Sequence, residues 1–208
     1  MPIYLRDDKS VLFVHVPKTG GSSIETALRR SGFNQYDRDS ATGTDQPNWF
    51  RRCSPQHIHA ERLRETYRIK RFTAVFLVVR DPIARFRSEV AHRARKHRIR
   101  FTDESVESWT RTMFAKYQKD PYVLDNHLRP QSEFVLRKAQ VYRYEDGLSA
   151  ALADLDKRFD LAMDTEVPHR LNSGERRPGF SSSDVPISHG TEALLREFYR
   201  EDFEAFGY

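Results

Sequence analysis

The chain has 208 residues, a formal net charge of +5 and one cysteine, with a sequence pI near 9.4. That length fits a single domain over residues 1–208 with enough chain to bury a sizeable core. A lone Cys53 excludes intrachain disulfides and a cysteine zinc cluster, and a reducing, cytoplasmic setting is the simplest expectation. No run approaches the roughly 18 apolar residues of a membrane span, so stable membrane insertion is not expected. The opening Met-Pro-Ile-Tyr-Leu-Arg-Asp-Asp has no signal-peptide core.

Residues 11–16 are apolar and rich in β-branched side chains, which predicts a buried strand ended by Pro17. A helix follows to about residue 30, closed by Gly32. Residues 34–55 are polar, with scattered Gly, Pro, Asn and Asp, and read as a long surface loop. Residues 60–67 read as a helix and 72–79 as the strongest strand of the chain. Arg80-Asp81-Pro82 then leads into a helix to about residue 96, with proline at a permitted early position. A helix is expected over 105–116, partial helix over 120–138, a strand over 139–144 and an amphipathic helix over 147–159. Residues 166–188 read as an irregular loop and 191–206 as one closing helix. Alternating strands and helices predict an α/β domain with a mainly parallel sheet, whose ligands bind beyond the carboxyl ends of the strands. The segment from Arg85 to Arg100 is densely basic. It reads as a solvated helix face or as an electrostatic guide for an anionic ligand; no nucleic-acid-binding motif accompanies it.

Two segments carry chemistry. The first is Pro17-Lys-Thr-Gly-Gly-Ser-Ser23 between the first strand and its helix. Gly20 and Gly21 permit a sharp turn, Ser22 or Ser23 can cap the helix, and Glu25 falls in its first turn. Backbone N–H groups, Lys18 and the hydroxyls then converge on an anion such as phosphate or sulfate. The order differs from the nucleoside triphosphate loop, in which lysine follows the last glycine and a hydroxyl serves magnesium. The second segment is Val78-Val-Arg-Asp-Pro-Ile-Ala-Arg-Phe-Arg-Ser88, where Arg80 follows a strand and Ser88 lies about two helical turns on. A fold-back at Asp81-Pro82 could bring both to one phosphate, in the crevice that Lys18 faces.

The first segment resembles the 5′-phosphosulfate loop, and the second the 3′-phosphate motif, of sulfotransferases that use PAPS (3′-phosphoadenosine 5′-phosphosulfate). Gln56-His-Ile-His-Ala-Glu61 resembles the histidine segment of carbohydrate sulfotransferases of the heparan 2-O and chondroitin type. Asn126-His-Leu-Arg-Pro-Gln131, Val141-Tyr-Arg-Tyr-Glu145 and the stretch 199–208 resemble later blocks of that group. The resemblance implies a P-loop-like three-layer fold, PAPS as donor and no metal requirement. It implies that Thr19, Gly20, Gly21, Ser22 and Ser23 cradle the 5′-phosphate with Lys18, which also offsets charge on the leaving group. Arg80 and Ser88 would hold the 3′-phosphate.

The acceptor would be a hydroxyl of a carbohydrate, and the arginine richness of the chain points to an anionic glycan. An alkoxide-forming step calls for a general base, for which His57 and His59 are the candidates. His57 is favoured by its match to bacterial members, while His59 matches the second histidine of the heparan-type enzymes. A zinc pair or plain surface histidines are the other readings of this segment. His127 reads as structural or acceptor-contacting, and His15 as core. A nucleotide-dependent kinase and a non-catalytic module binding anionic glycans are the alternatives for the whole chain.

Overall fold

The computed structural model describes residues 3–39, 41, 43–97, 102–167 and 181–208. Six consecutive buried residues, Ala-Val-Phe-Leu-Val-Val, make β4 (Ala74–Val79). It lies parallel to β2 (Lys9–Val14) on one side and to β5 (Gln140–Arg143) on the other. Such strands are buried on both faces, hence the uninterrupted apolar run. Before β2 the chain doubles back through Asp7, at φ +51, so that β1 (Ile3–Arg6) pairs with it antiparallel. A two-residue connection is too short for the crossover that parallel pairing needs.

The strand order is β3-β1-β2-β4-β5, with β3 (Asn34–Tyr36) antiparallel to β1. The sheet is therefore mixed rather than mainly parallel: two of its four pairings run each way. The expected loop over 34–55 also gives way at its start to this edge strand and holds short 3₁₀ turns at Pro47–Phe50 and Pro55–His57.

Strand alternation sends Val11, Phe13, Phe76 and Val78 to one face. There they pack on Ile24, Ala27 and Leu28 of α1 (Gly21–Arg30) and on Leu152 and Leu155 of α5 (Leu148–Phe159). Leu12, Val14, Val75 and Leu77 go to the other face, against Leu63 of α2 (Ala60–Thr66) and against Phe134. A third cluster joins α3 (Pro82–His97), α4 (Asp103–Lys119) and α6 (His189–Phe198) through Val90, Val106 and Leu195. Each fully buried side chain of this size contributes about 1.5–3 kcal/mol of transfer free energy.

Helix α4 starts two residues before the expected position because Thr102 and Ser105 form a reciprocal cap. The closing helix is two: α6 stops at Phe198, and α7 (Arg200–Phe206) follows Tyr199. The Tyr199 ring is buried and its hydroxyl donates to the Leu128 carbonyl at 2.9 Å, which fixes the break. Most of the irregular stretch expected over 166–188 lies outside the described residues. Among the described residues, no helix is long and apolar enough to cross a membrane.

Candidate active site

The turn after β2 is tighter than its sequence suggests. Lys18 takes φ +73 and Gly20 φ +87. The N-cap of α1 is Gly20 and no side chain caps it, so Ser22 and Ser23 sit inside the first turn rather than capping it. The first N–H groups of a helix have no intrahelical partner, and here no serine hydroxyl is spent on them. Thr19 is fully buried and turns its hydroxyl back onto the Val16 carbonyl at 2.9 Å. Gly21 is required by packing: a Cβ there would lie 1.9 Å from Nε2 of His15.

Glu25 is not a helix-dipole residue. It is buried, with one oxygen 3.1 Å from Nδ1 of His15 and the other 3.4 Å from Nε of Arg38. Burial pushes its carboxyl up, but the bond and charge of His15, with the charge of Arg38, outweigh that and leave it low.

The turn after β4 faces the same way. Asp81 caps α3 by accepting from the Ala84 N–H at 2.7 Å. The Arg80 guanidinium lies 4.5 Å over the Tyr144 ring and donates to the Lys18 carbonyl at 3.4 Å. Its Nε is buried and has no hydrogen-bond partner among the described residues. Arg85 departs from both readings of the basic segment. It is 2 % exposed and donates from Nε to Pro17 (3.0 Å) and from Nη2 to the His127 and Arg129 carbonyls (both 2.9 Å), tying α3 to the turn after β2 and to the segment at 127–129. Arg93 pairs with Glu89 at 2.6 Å. Arg98 and Arg100 lie outside the described residues.

The two turns open onto one cavity of about 500 Å³. Lys18, Gly20, Gly21, Ser22 and Ser23 line it from the first turn, and Arg80 and Ser88 from the second. Four histidines complete its wall: His15, His57, His92 and His127. Their rings follow one another at centroid spacings of 5.1 Å (His15–His57), 4.9 Å (His57–His127) and 6.4 Å (His127–His92). His15, expected in the core, is largely buried yet reaches this wall.

His57 and His59 separate completely. Nδ1 of His57 donates to Oδ2 of Asp125 at 2.8 Å, which turns Nε2 away from the carboxylate. Asp125 also accepts from the Ser54 hydroxyl at 2.7 Å and from the Ser54 N–H. It sits in a run of three left-handed residues, Leu124, Asp125 and Asn126, at φ +55, +60 and +62. Each costs about 1–2 kcal/mol in an ordinary L-residue, and strain of this kind gathers where surrounding contacts over-determine a site. Here Asn126, fully buried, donates to the His57 carbonyl at 2.8 Å.

Burial pushes the His57 pKa down to about 3, with the nearby His127 and His15 acting the same way and Asp125 opposing. His59 instead occupies the N-cap of α2. It is 4 % exposed, edge-on to Tyr122 and 3.5 Å from Glu61, and it does not line the cavity.

Sequence reasoning missed the carboxylates. His127 Nδ1 donates to Glu89 at 2.6 Å, so a second histidine–carboxylate pair faces the first. Burial would raise the Glu89 carboxyl, but the charge and bond of His127, then Arg93 and Lys18, hold it well below the usual range. His92 is lowered to about 4, first by burial and then by the Lys18 charge. Asp125 had no signal of its own. Glu89 follows Ser88 directly and His127 lies in a motif block, but only the fold puts them together.

His57, Asp125 and His127 also lie close enough to hold a metal ion, with ligand atoms within 4.8 Å. Asp125, however, already accepts three hydrogen bonds through its two oxygens. That is the arrangement of an orienting carboxylate rather than of an open ligand.

Compared with known families, the sequence matches the one described as Sulfotransferase family over residues 1–208. No curated protein and no solved structure matches it.

Proposed function

The chain belongs to the sulfotransferase family, and from that premise we propose that it transfers a sulfonate from PAPS to a carbohydrate hydroxyl, on a P-loop-like three-layer domain. The observation that carries this reading is the convergence of two separate anion turns, with Lys18 in one and Arg80 and Ser88 in the other, on a single cavity walled by histidine. A donor with a 5′-phosphosulfate and a 3′-phosphate needs two such places. The unpartnered Nε of Arg80 is a donor that a phosphate oxygen would satisfy.

Bound there, PAPS would supply the sulfonate on its 5′-phosphate. The turn at Lys18–Ser23 would hold that phosphate through its N–H groups and the hydroxyls of Ser22 and Ser23, the Thr19 hydroxyl being spent on Val16. Lys18 would meet the negative charge left on that phosphate when the sulfonate is transferred. Arg80 and Ser88 would hold the 3′-phosphate. His57 takes the acceptor proton at Nε2 while Asp125 fixes its tautomer and steadies the imidazolium that forms.

We assign the base to His57 rather than His59 because His57 lines the cavity and His59 does not. The loop between Arg38 and Gln56, two residues of the cavity wall, exposes Trp49 (63 %) and Phe50 (82 %). Exposed aromatics of this size suit the apolar face of a sugar.

Calorimetry tests the donor. Adenosine 3′,5′-bisphosphate is expected to bind at least about tenfold more tightly than 5′-AMP, the increment of one well-held phosphate. Equal affinities would overturn the reading, and transfer of labelled sulfonate from PAPS across glycans, peptides and simple alcohols identifies the acceptor class.

A further inference from the structure

The blocks at residues 126–131 and 199–208 contribute Gln131, Asp202 and Tyr208, none of which lines the cavity. We propose that Gln131 and Asp202 are positioning residues that set the backbone of Arg80, so that helix α7 governs recognition of the 3′-phosphate. The proposal rests on Arg80 being the 3′-phosphate ligand.

The parallel ladder between β4 and β5 ends at the pair Val79 and Arg143. One residue further, the backbone of Arg80 meets a side chain instead of a strand. Oε1 of Gln131 accepts from the Arg80 N–H at 2.9 Å, and its Nε2 donates to the Arg80 carbonyl at 2.8 Å. An amide side chain sets a C=O acceptor and an N–H donor in one plane, the pair that a neighbouring strand would offer, so Gln131 extends the sheet edge by one residue. A glutamate would set an oxygen against the Arg80 carbonyl. A methionine would fill the space and satisfy neither group.

Gln131 is itself fully buried and held from behind. Its own N–H donates to Oδ2 of Asp202, and that of Ser132 to Oδ1, both at 2.8 Å. Asp202 is fully buried in the first turn of α7, a turn that exists because the chain breaks at Tyr199.

A second strap runs beside the first. The Tyr208 hydroxyl donates to Glu145 at 2.7 Å, and the other oxygen of Glu145 accepts from the Asp81 N–H at 3.0 Å. The N–H groups of residues 80 and 81 are thus both held by side chains, with a residue from 199–208 behind each. What this fixes is the direction of the Arg80 side chain toward Tyr144 and the Lys18 carbonyl.

The test is Gln131→Met, read by affinity for adenosine 3′,5′-bisphosphate, affinity for 5′-AMP, thermal midpoint, and hydrogen exchange of the Arg80 amide. The expected result is faster exchange at Arg80 and a loss of about tenfold in bisphosphate affinity, with 5′-AMP affinity unchanged. A purely structural role would weaken both ligands alike or neither, and either outcome in the folded variant overturns the proposal. Asp202→Asn should move the same ratio in the same direction by less.

Should Gln131→Met not fold, Tyr208→Phe carries the test, since it removes a single hydroxyl. A lowered bisphosphate-to-AMP ratio supports the relay and an unchanged ratio overturns it. If the wild-type protein shows no preference for the bisphosphate, the donor reading fails. The relay is then decided by hydrogen exchange, which involves no ligand, at the Arg80 amide in Gln131→Met and at the Asp81 amide in Tyr208→Phe: protection lost supports it, and protection kept overturns it.

Discussion

The turn after β2 and the turn after β4 open onto the same cavity but are held there by different means. The first is shaped by its own residue types, with the Arg85 bond to the Pro17 carbonyl and the Arg80 bond to the Lys18 carbonyl as its ties from outside. Lys18 and Gly20 take positive φ, Thr19 ties back to Val16, and Gly21 makes room for His15, all within a few residues. The second is held from outside, by Gln131 and Glu145 at 51 and 64 positions along the chain. A turn built from its own residue types can be broken by one local change. A turn held from a distance can be loosened without touching it.

The largest expected effect separates the two turns by what each does in the reaction. Lys18→Ala removes a charge that meets negative charge developing on the leaving group, so kcat should fall by about 10²–10³. Arg80→Ala removes a contact made equally to the ground state and the transition state, so its loss should fall mainly on the donor KM. Steady-state kinetics with both substrates varied would show this. A Lys18→Ala variant altered only in KM would break the distinction.

Stability probes the same contrast on a smaller scale. Gly21→Ala drives a Cβ to 1.9 Å from the His15 ring, and forced overpacking of this kind costs about 1–3 kcal/mol. Asp81→Ala removes only the cap on Ala84, worth about 1 kcal/mol. For a chain of this size each kcal/mol moves the thermal midpoint by about 2–4 °C. A larger drop for Asp81→Ala than for Gly21→Ala would show that the first turn is the more forgiving one.

This contrast also accounts for what could be read from the sequence. β2, β4 and the helices after them announce themselves by apolar runs and by glycine or proline at their ends, because those signals are local. Lys18 and Arg80 were legible for the same reason, as the residues at two strand ends. β1 was not, since Ile3–Arg6 is short and carries Arg6 and an exposed Leu5; pairing with β2 and β3 makes it a strand.

The single helix expected over 191–206 failed at Tyr199, whose apolar spacing continues the pattern while its hydroxyl is drawn to Leu128. Most instructive is the histidine segment. Spacing alone left His57 and His59 equivalent, and what divides them is Asp125, 68 residues from His57. Arg85 belongs to the same class: one arginine among many in the sequence, it is a buried tie from α3 to two loops in the fold.

The smallest expected effect concerns the proton inventory of the cavity. Burial holds the His57 pKa near 3 and that of His92 near 4, against an ordinary value of 6.5. Both folded-state values are depressed, so the unfolded chain binds more protons through this window. Stability owed to the neutral rings is complete above pH 6.5 and is lost as pH falls from there toward 4 and 3. Glu25, Glu89 and Asp125, all lowered, extend the loss into stronger acid.

An anion in the cavity reverses the local balance, because negative charge beside an imidazole favours its protonated form. Binding of adenosine 3′,5′-bisphosphate near pH 6 should therefore take up protons, and binding near pH 8 should take up fewer. Calorimetry in buffers of different ionisation enthalpy measures that uptake directly. His57→Ala should reduce it, while His59→Ala, outside the cavity wall, should leave it unchanged. Uptake unaltered by His57→Ala would mean that the ligand's charge is felt elsewhere, at His92 or His127, and would move the acid–base role toward the His127–Glu89 pair beside Lys18.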